Sequence, residues 1–114
     1  MTNLELKTTL WDTEENWETY KNEILLDGQK VGEAYIMIDQ EEDDQAYLED
    51  FGINKEHRNQ GIGTEVLNKL VEKHGRVYMA PTDENNQRLY DRLGEEWIGN
   101  APEVDQGYGV YVIE

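Results

Sequence analysis

The chain has 114 residues, 26 acidic and 10 basic, giving a formal net charge of −16. That length suits one domain with one modest core, and 37% hydrophobic residues with seven Tyr and three Trp supply enough apolar material to fill it. No Cys is present, which excludes disulfides, thiolate metal ligands and a Cys nucleophile and predicts a reducing cytoplasm; the lack of a long apolar run or of a signal-like start predicts no membrane span and no leader, and the negative field argues against nucleic-acid binding.

Thr2 to Trp11 partly alternate in polarity and predict a first strand. Asp12 to Asn16 reads as a polar, acidic connection with room for one helical turn at most. Trp17 to Leu26 predicts a second strand and Val31 to Ile38 a third. Asp27-Gly28 between them is a strong hairpin signal. Asp39 to Gln45 reads as an acidic loop tip, and Ala46 to Ile53 as a fourth strand. A helix is expected from about Gln60 to His74, because Ile62, Val66, Leu67, Leu70 and Val71 recur at helical spacing and Gly75 stops it. Arg76 to Ala80 is a short strand. Thr82 or Asp83 caps a second helix reaching Leu93, with Leu89, Tyr90 and Leu93 spaced to pack. Glu95 to Ile98 and Tyr108 to Ile113 read as two last strands. The expected fold is α/β, ordered β-β-β-β-α-β-α-β-β, in a single domain over residues 1–114 without repeat or linker.

Between the fourth strand and the first helix lies His57-Arg58-Asn59-Gln60-Gly61-Ile62-Gly63-Thr64. First-turn N–H groups have no intrahelical partner, and the macrodipole adds partial positive charge there. Glycines at 61 and 63 let an anion approach the backbone. A Walker loop would need a Lys after the last Gly, where Thr64 and Glu65 stand. The three-glycine dinucleotide fingerprint fails at Val66. The charge distribution suits an anion at this place. Residues 1–53 carry 15 acids and 3 bases, residues 54–93 carry 6 and 7, and residues 94–114 carry 5 and none. The loop is a near-neutral island in an acidic chain, whose field would attract a cationic molecule elsewhere. Solubility alone is a further reading of the acidity.

What remains, Arg58-x-x-Gly61-x-Gly63, resembles the pyrophosphate-binding motif of the GNAT-type N-acetyltransferases. Leu89-Tyr90-Asp91-Arg92-Leu93-Gly94 is similar to that family's Leu-Tyr-x-x-x-Gly helix. Ile53, five residues before Arg58, matches its apolar residue at the end of the fourth strand. The resemblance runs from about Trp17 onward. It implies the GNAT fold, acetyl-CoA as acyl donor without a metal, and direct acetyl transfer to a primary amine, either a cationic small molecule or a protein amine. It implies that Phe51, Gly52 and Ile53 pair with the pantetheine arm through edge backbone groups. Arg58 and the loop Asn59, Gln60, Gly61, Ile62, Gly63 and Thr64 would hold the diphosphate, and Tyr90 would protonate the leaving thiolate. Glu49 is the expected general base, with Asp50 beside it as the other candidate; Glu49 shares a strand face with Phe51 and Ile53 if no bulge intervenes.

The chain departs from the family pattern in four places. Asp83 stands where the family has Asn, and Asn86 where it has Ala, so Asn86 or Asn85 is left to bond the pantetheine arm. Glu95 stands where Phe follows the last helix, with Trp97 supplying bulk instead. Two early helices that build the acceptor wall are missing, which leaves the site open or completed by a second copy in a homodimer. The competing expectation is a non-catalytic acidic protein on the same scaffold, binding a basic partner or mimicking nucleic-acid charge. His57 and His74 lack metal-ligand spacing, and no metal site is expected.

Overall fold

Alternating apolar residues and short turns fold the first half of the chain into an antiparallel meander. In the computed structural model, which describes residues 3–41, 45–58, 60–96 and 110–114, β1 (Leu4–Glu14) turns directly into β2 (Trp17–Leu26), β3 (Gln29–Asp39) and β4 (Gln45–Ile53). The Asp27-Gly28 turn forms as expected, both residues at positive φ. The connection between β1 and β2 does not. The strand runs on to Glu14, and Glu15 at φ 51° with Asn16 closes a two-residue turn under the Glu14–Trp17 pair. No helical turn forms at 12–16, because Asp12, Thr13 and Glu14 are held in the ladder with β2 and only Glu15 and Asn16 are left for the turn. Trp11 is an extra residue there, bulged between the Leu10–Tyr20 and Asp12–Thr19 pairs.

After β4 a short 3₁₀ turn, Lys55–His57, leads to α1 (Ile62–His74). The helix starts at Ile62 rather than Gln60 because Gly61 is left-handed, at φ 80°. β5 (Val77–Met79) follows, then α2 (Glu84–Leu93), β6 (Glu95–Glu96) and β7 (Tyr111–Ile113). Asp83 caps α2, its side chain accepting from the Asn86 N–H at 2.8 Å. The expected roles of Trp97, Ile98 and Tyr108 lie outside the described residues.

All seven strands join one sheet in the order β1-β2-β3-β4-β5-β7-β6, and only β4 and β5 run parallel. The apolar stripe of α1 (Ile62, Val66, Leu67, Leu70) packs with Ile24, Ala34, Ile36, Leu48, Phe51 and Met79 of the sheet and with Tyr90 of α2. Burying one such Leu contributes about 1.5–3 kcal/mol. On the other face Trp17, Tyr47 and Tyr78 form an aromatic row, with centroids 5.5 Å and 5.1 Å apart.

Candidate functional site

The site begins where β4 and β5 part. Their parallel pairing covers Ala46–Val77, Tyr47–Tyr78 and Leu48–Met79, and the Ala80 N–H reaches the Leu48 carbonyl at 3.3 Å. Beyond Leu48, β4 continues to Ile53 without a β5 partner. β3 holds its other edge, pairing Asp50 with Tyr35, Gly52 with Glu33 and Ile53 with Gly32. The carbonyls of Phe51 and Ile53, two residues apart, therefore line one open edge.

Side chains from the flanking elements cap both carbonyls. Asn86 Nδ2 of α2 donates to the Phe51 carbonyl and to Thr82 Oγ1, each at 3.2 Å. Arg58 Nε donates to the Ile53 carbonyl at 2.9 Å, folding the 3₁₀ turn back onto β4. Arg58 is exposed, and it forms no ion pair with Glu56 among the described residues. An edge that already holds side-chain amide and guanidinium donors is chemically suited to an extended ligand bearing amide N–H groups.

The N-terminus of α1 opens next to this edge. The first helical hydrogen bond runs from the Glu65 N–H to the Gly61 carbonyl, so the N–H groups of Ile62, Gly63 and Thr64 precede the helical ladder. A Cβ on Gly61 would meet nothing within 4 Å, so its φ, not crowding, calls for glycine. Gly63 is the close-packed glycine. A Cβ there would lie 3.3 Å from Leu89 Cδ2 and 3.6 Å from the Phe51 ring, so its absence lets α1 settle against both β4 and α2. Ile62 offers only backbone, because its side chain is buried in the core at 5% exposure. Thr64 is half-buried and Gln60 exposed, with Gln60 Nε2 donating to the Glu56 carbonyl at 3.4 Å. Asn59 lies outside the described residues.

Tyr90 points from α2 into the same core cluster as Phe51 and is 1% exposed. Its hydroxyl makes no hydrogen bond among the described residues. Burial, then the carboxylates of Asp50 and Asp83, push the phenol well above its ordinary value of 10.0. It therefore keeps its proton at any physiological pH and has that proton to donate.

Glu49 does not take its expected place. β4 bulges there, because Tyr35 pairs with Asp50 while the next residue, Ile36, pairs with Leu48. The extra residue switches the phase of the strand. Leu48 and Phe51 both enter the helix-side core, while Glu49 is half-buried and Asp50 exposed between them. Glu49 therefore shares no face with Phe51 and Ile53, and Asp50 is the acid whose charge acts on Tyr90.

Beside the edge lies a cavity of about 740 Å³, lined by Lys30 and Glu33 of β3, Asp50 and Gly52 of β4, and Lys55 and Arg58 of the following turn, among others. Sequence spacing singles out neither Lys30 nor Glu33. The register that the Asp27-Gly28 turn gives β2 and β3, and its continuation to β4, brings them to the site. No group of three or more His, Cys, Asp or Glu able to hold a metal is present among the described residues.

Residues 2–94 match the family model described as the acetyltransferase (GNAT) family. No curated protein matches the chain. Among solved structures, a GNAT family acetyltransferase of Elizabethkingia anophelis with acetyl-CoA bound is 12% identical, with TM-score 0.65 over 98% of both chains. A GNAT family acetyltransferase of Staphylococcus aureus is 18% identical, with TM-score 0.61 over 86% of this chain and 67% of that one. At such identities the structures speak for the shared fold, and the match of the family model over most of the sequence speaks for descent. With the parted β4–β5 pair, the glycine turn before α1 and the α2 tyrosine, the chain belongs to the GNAT acetyltransferase family.

Proposed function

We propose that the protein transfers an acetyl group from acetyl-CoA to a primary amine by direct attack. The observation that carries this reading is the parting of β4 from β5, which sets the free Phe51–Ile53 edge between the N-terminus of α1 and the Tyr90-bearing helix. The N–H groups from Gln60 to Thr64, with Asn59 and the exposed Arg58, hold the diphosphate. The pantetheine amides run along Phe51, Gly52 and Ile53, sharing or displacing the contacts that Asn86 and Arg58 make there.

The amine arrives as ammonium and must lose a proton before its lone pair can attack. Asp50 takes that proton, directly or through a water, in place of the offset Glu49. The C–N bond forms, the carbonyl oxygen gains charge that β4 backbone N–H groups stabilise, the attacking nitrogen releases its second proton to solvent, and the C–S bond breaks. A free thiol has a pKa of about 8.5, below that of the Tyr90 phenol. Tyr90 therefore holds its proton and stabilises the leaving thiolate as a hydrogen-bond donor, and the thiolate is protonated from solvent.

The exposed sheet face above the two-residue β1–β2 turn, together with the charge of −16, favours the other reading, an acidic scaffold that binds a basic partner. Thiol release from acetyl-CoA in the presence of an amine panel separates them. Turnover that Tyr90→Phe cuts supports transfer. Equal, negligible thiol release by both proteins would leave the scaffold reading.

A further inference from the structure

The cavity beside β4 has a charge pattern unlike the chain around it. Gly52 is part of its lining, and a Cβ there would meet nothing within 4 Å. Its charged lining comprises Lys30, Lys55 and Arg58 against Glu33, Asp50 and Glu56, three of each sign, in a chain of net −16. These charges are unequally satisfied. Glu33 already pairs with Lys21 at 3.5 Å and Lys30 at 3.3 Å, and Lys30 also reaches Glu23 at 3.8 Å. Asp50, Lys55, Glu56 and Arg58 form no ion pair among the described residues, and of the two cations Arg58 already donates through Nε to the Ile53 carbonyl, which leaves Lys55 the less engaged.

A polycation would need a surplus of negative charge on its walls, as the rest of this surface could provide. The walls instead leave as many cations unmatched as anions, two of each. Tyr90, unpartnered and almost wholly buried, lies within the field of Asp50, which ties the anionic end to the reacting centre.

We propose that this cavity receives the acceptor, and that the acceptor is a zwitterionic amine, its ammonium at Asp50 and a carboxylate or similar anion toward Lys55. This rests on the acetyltransferase reading above and narrows its acceptor class. A polyamine or a lysine-rich tail, which the overall acidity would attract, is thereby disfavoured.

The test measures thiol release from acetyl-CoA with three acceptor sets: the free amino acids, their carboxamides, and spermidine with spermine. Calorimetric titration with acetyl-CoA accompanies each protein. At least one amino acid should exceed its own carboxamide and both polyamines in kcat/KM by about tenfold or more, the scale of one charge-assisted hydrogen bond. Lys55→Gln, at an exposed position, should remove most of that preference and leave the Kd for acetyl-CoA within about twofold, as expected of a side chain that does not touch the donor. Preference for the polyamines, equal rates for acids and amides, or transfer to none of the three sets by a protein that binds acetyl-CoA would overturn the charge class alone. So would a Lys55→Gln protein that binds acetyl-CoA markedly more weakly, since the cation would then serve the donor phosphates. Failure of the native protein to bind acetyl-CoA would overturn the acetyltransferase reading itself.

Discussion

Tyr90 combines complete burial with a hydroxyl that has no partner among the described residues. Removing an unsatisfied buried hydroxyl costs no hydrogen bond. Tyr90→Phe should therefore melt at the same temperature as the native protein or higher, while kcat falls by about a hundredfold. A purely structural tyrosine would show a lower melting temperature and unchanged turnover. The raised phenol pKa adds a pH signature. The unfolded chain ionises Tyr90 near pH 10 and the folded chain only well above it, so stability is full below pH 10 and declines as pH rises past it. Tyr90→Phe should flatten that alkaline decline in a series of thermal melts. Asp50 and Glu49 are neighbours in sequence with different surroundings. Asp50→Asn should lower kcat/KM by about a hundredfold, whereas Glu49→Gln should leave it nearly unchanged. The reverse pattern would return the base to Glu49.

At the scale of elements, the register of β3 against β4 builds the site. Gly32 lies so close to the Gly52 carbonyl that a Cβ would collide with backbone, which cannot swing aside. Gly32→Ala should destabilise the protein by about 2–3 kcal/mol, as overpacking does, and loosen the Phe51–Ile53 edge, measured by urea unfolding and by hydrogen exchange at Asn54, whose N–H donates to the Val31 carbonyl of β3. The helices and the Asp27-Gly28 hairpin were legible in the sequence because their signals are local: a 3.6-residue stripe, the Asp83 cap, a turn pair that tolerates positive φ. The loop was singled out by its glycines between a strand and a helix, and Tyr90 by the resemblance of its helix to the family's Leu-Tyr-x-x-x-Gly pattern; the strand, turn and helix around the loop formed where the glycines called for them. The bulge at Glu49 was not legible, because it arises from pairing with Tyr35 and Ile36, residues that give no hint of it when read in order. The run from Asp12 to Asn16 misled for a similar reason. Its polar residues suggest a loop, but pairing with Thr19, Glu18 and Trp17 holds Asp12, Thr13 and Glu14 extended and leaves only Glu15 and Asn16 to turn. The approach of Lys30 and Lys55 to one cavity is likewise a product of register and of the 3₁₀ turn, neither of which spacing reveals.

Across the whole molecule, charge opposes compactness. The ion pairs among the described residues are Lys21–Glu33, Lys30–Glu23, Lys30–Glu33 and Arg76–Glu114, all at least partly exposed. Each is worth about 0–1 kcal/mol, too little to offset the mutual repulsion of 16 surplus negative charges. Raising salt from about 0.01 M to 0.5 M shortens the screening length several-fold and should raise the melting temperature. A fall would mean that attractive pairs dominate the surface. The proposed anionic donor must enter this same field, and the proposed point of entry is the N-terminus of α1. Gly61 is a poor place to test that claim, since any side chain there strains its left-handed backbone. Thr64, in the first turn, is better. A Glu at that position favours the helix dipole, so folding is preserved, but it sets a negative charge against the diphosphate. The decisive measurement is calorimetric titration of native protein and Thr64→Glu with acetyl-CoA, with melting temperatures recorded alongside. The account predicts saturable binding by the native protein and a loss of about tenfold or more in Thr64→Glu, at an unchanged or higher melting temperature. Equal affinity in the two proteins, or no binding by the native one, would contradict it.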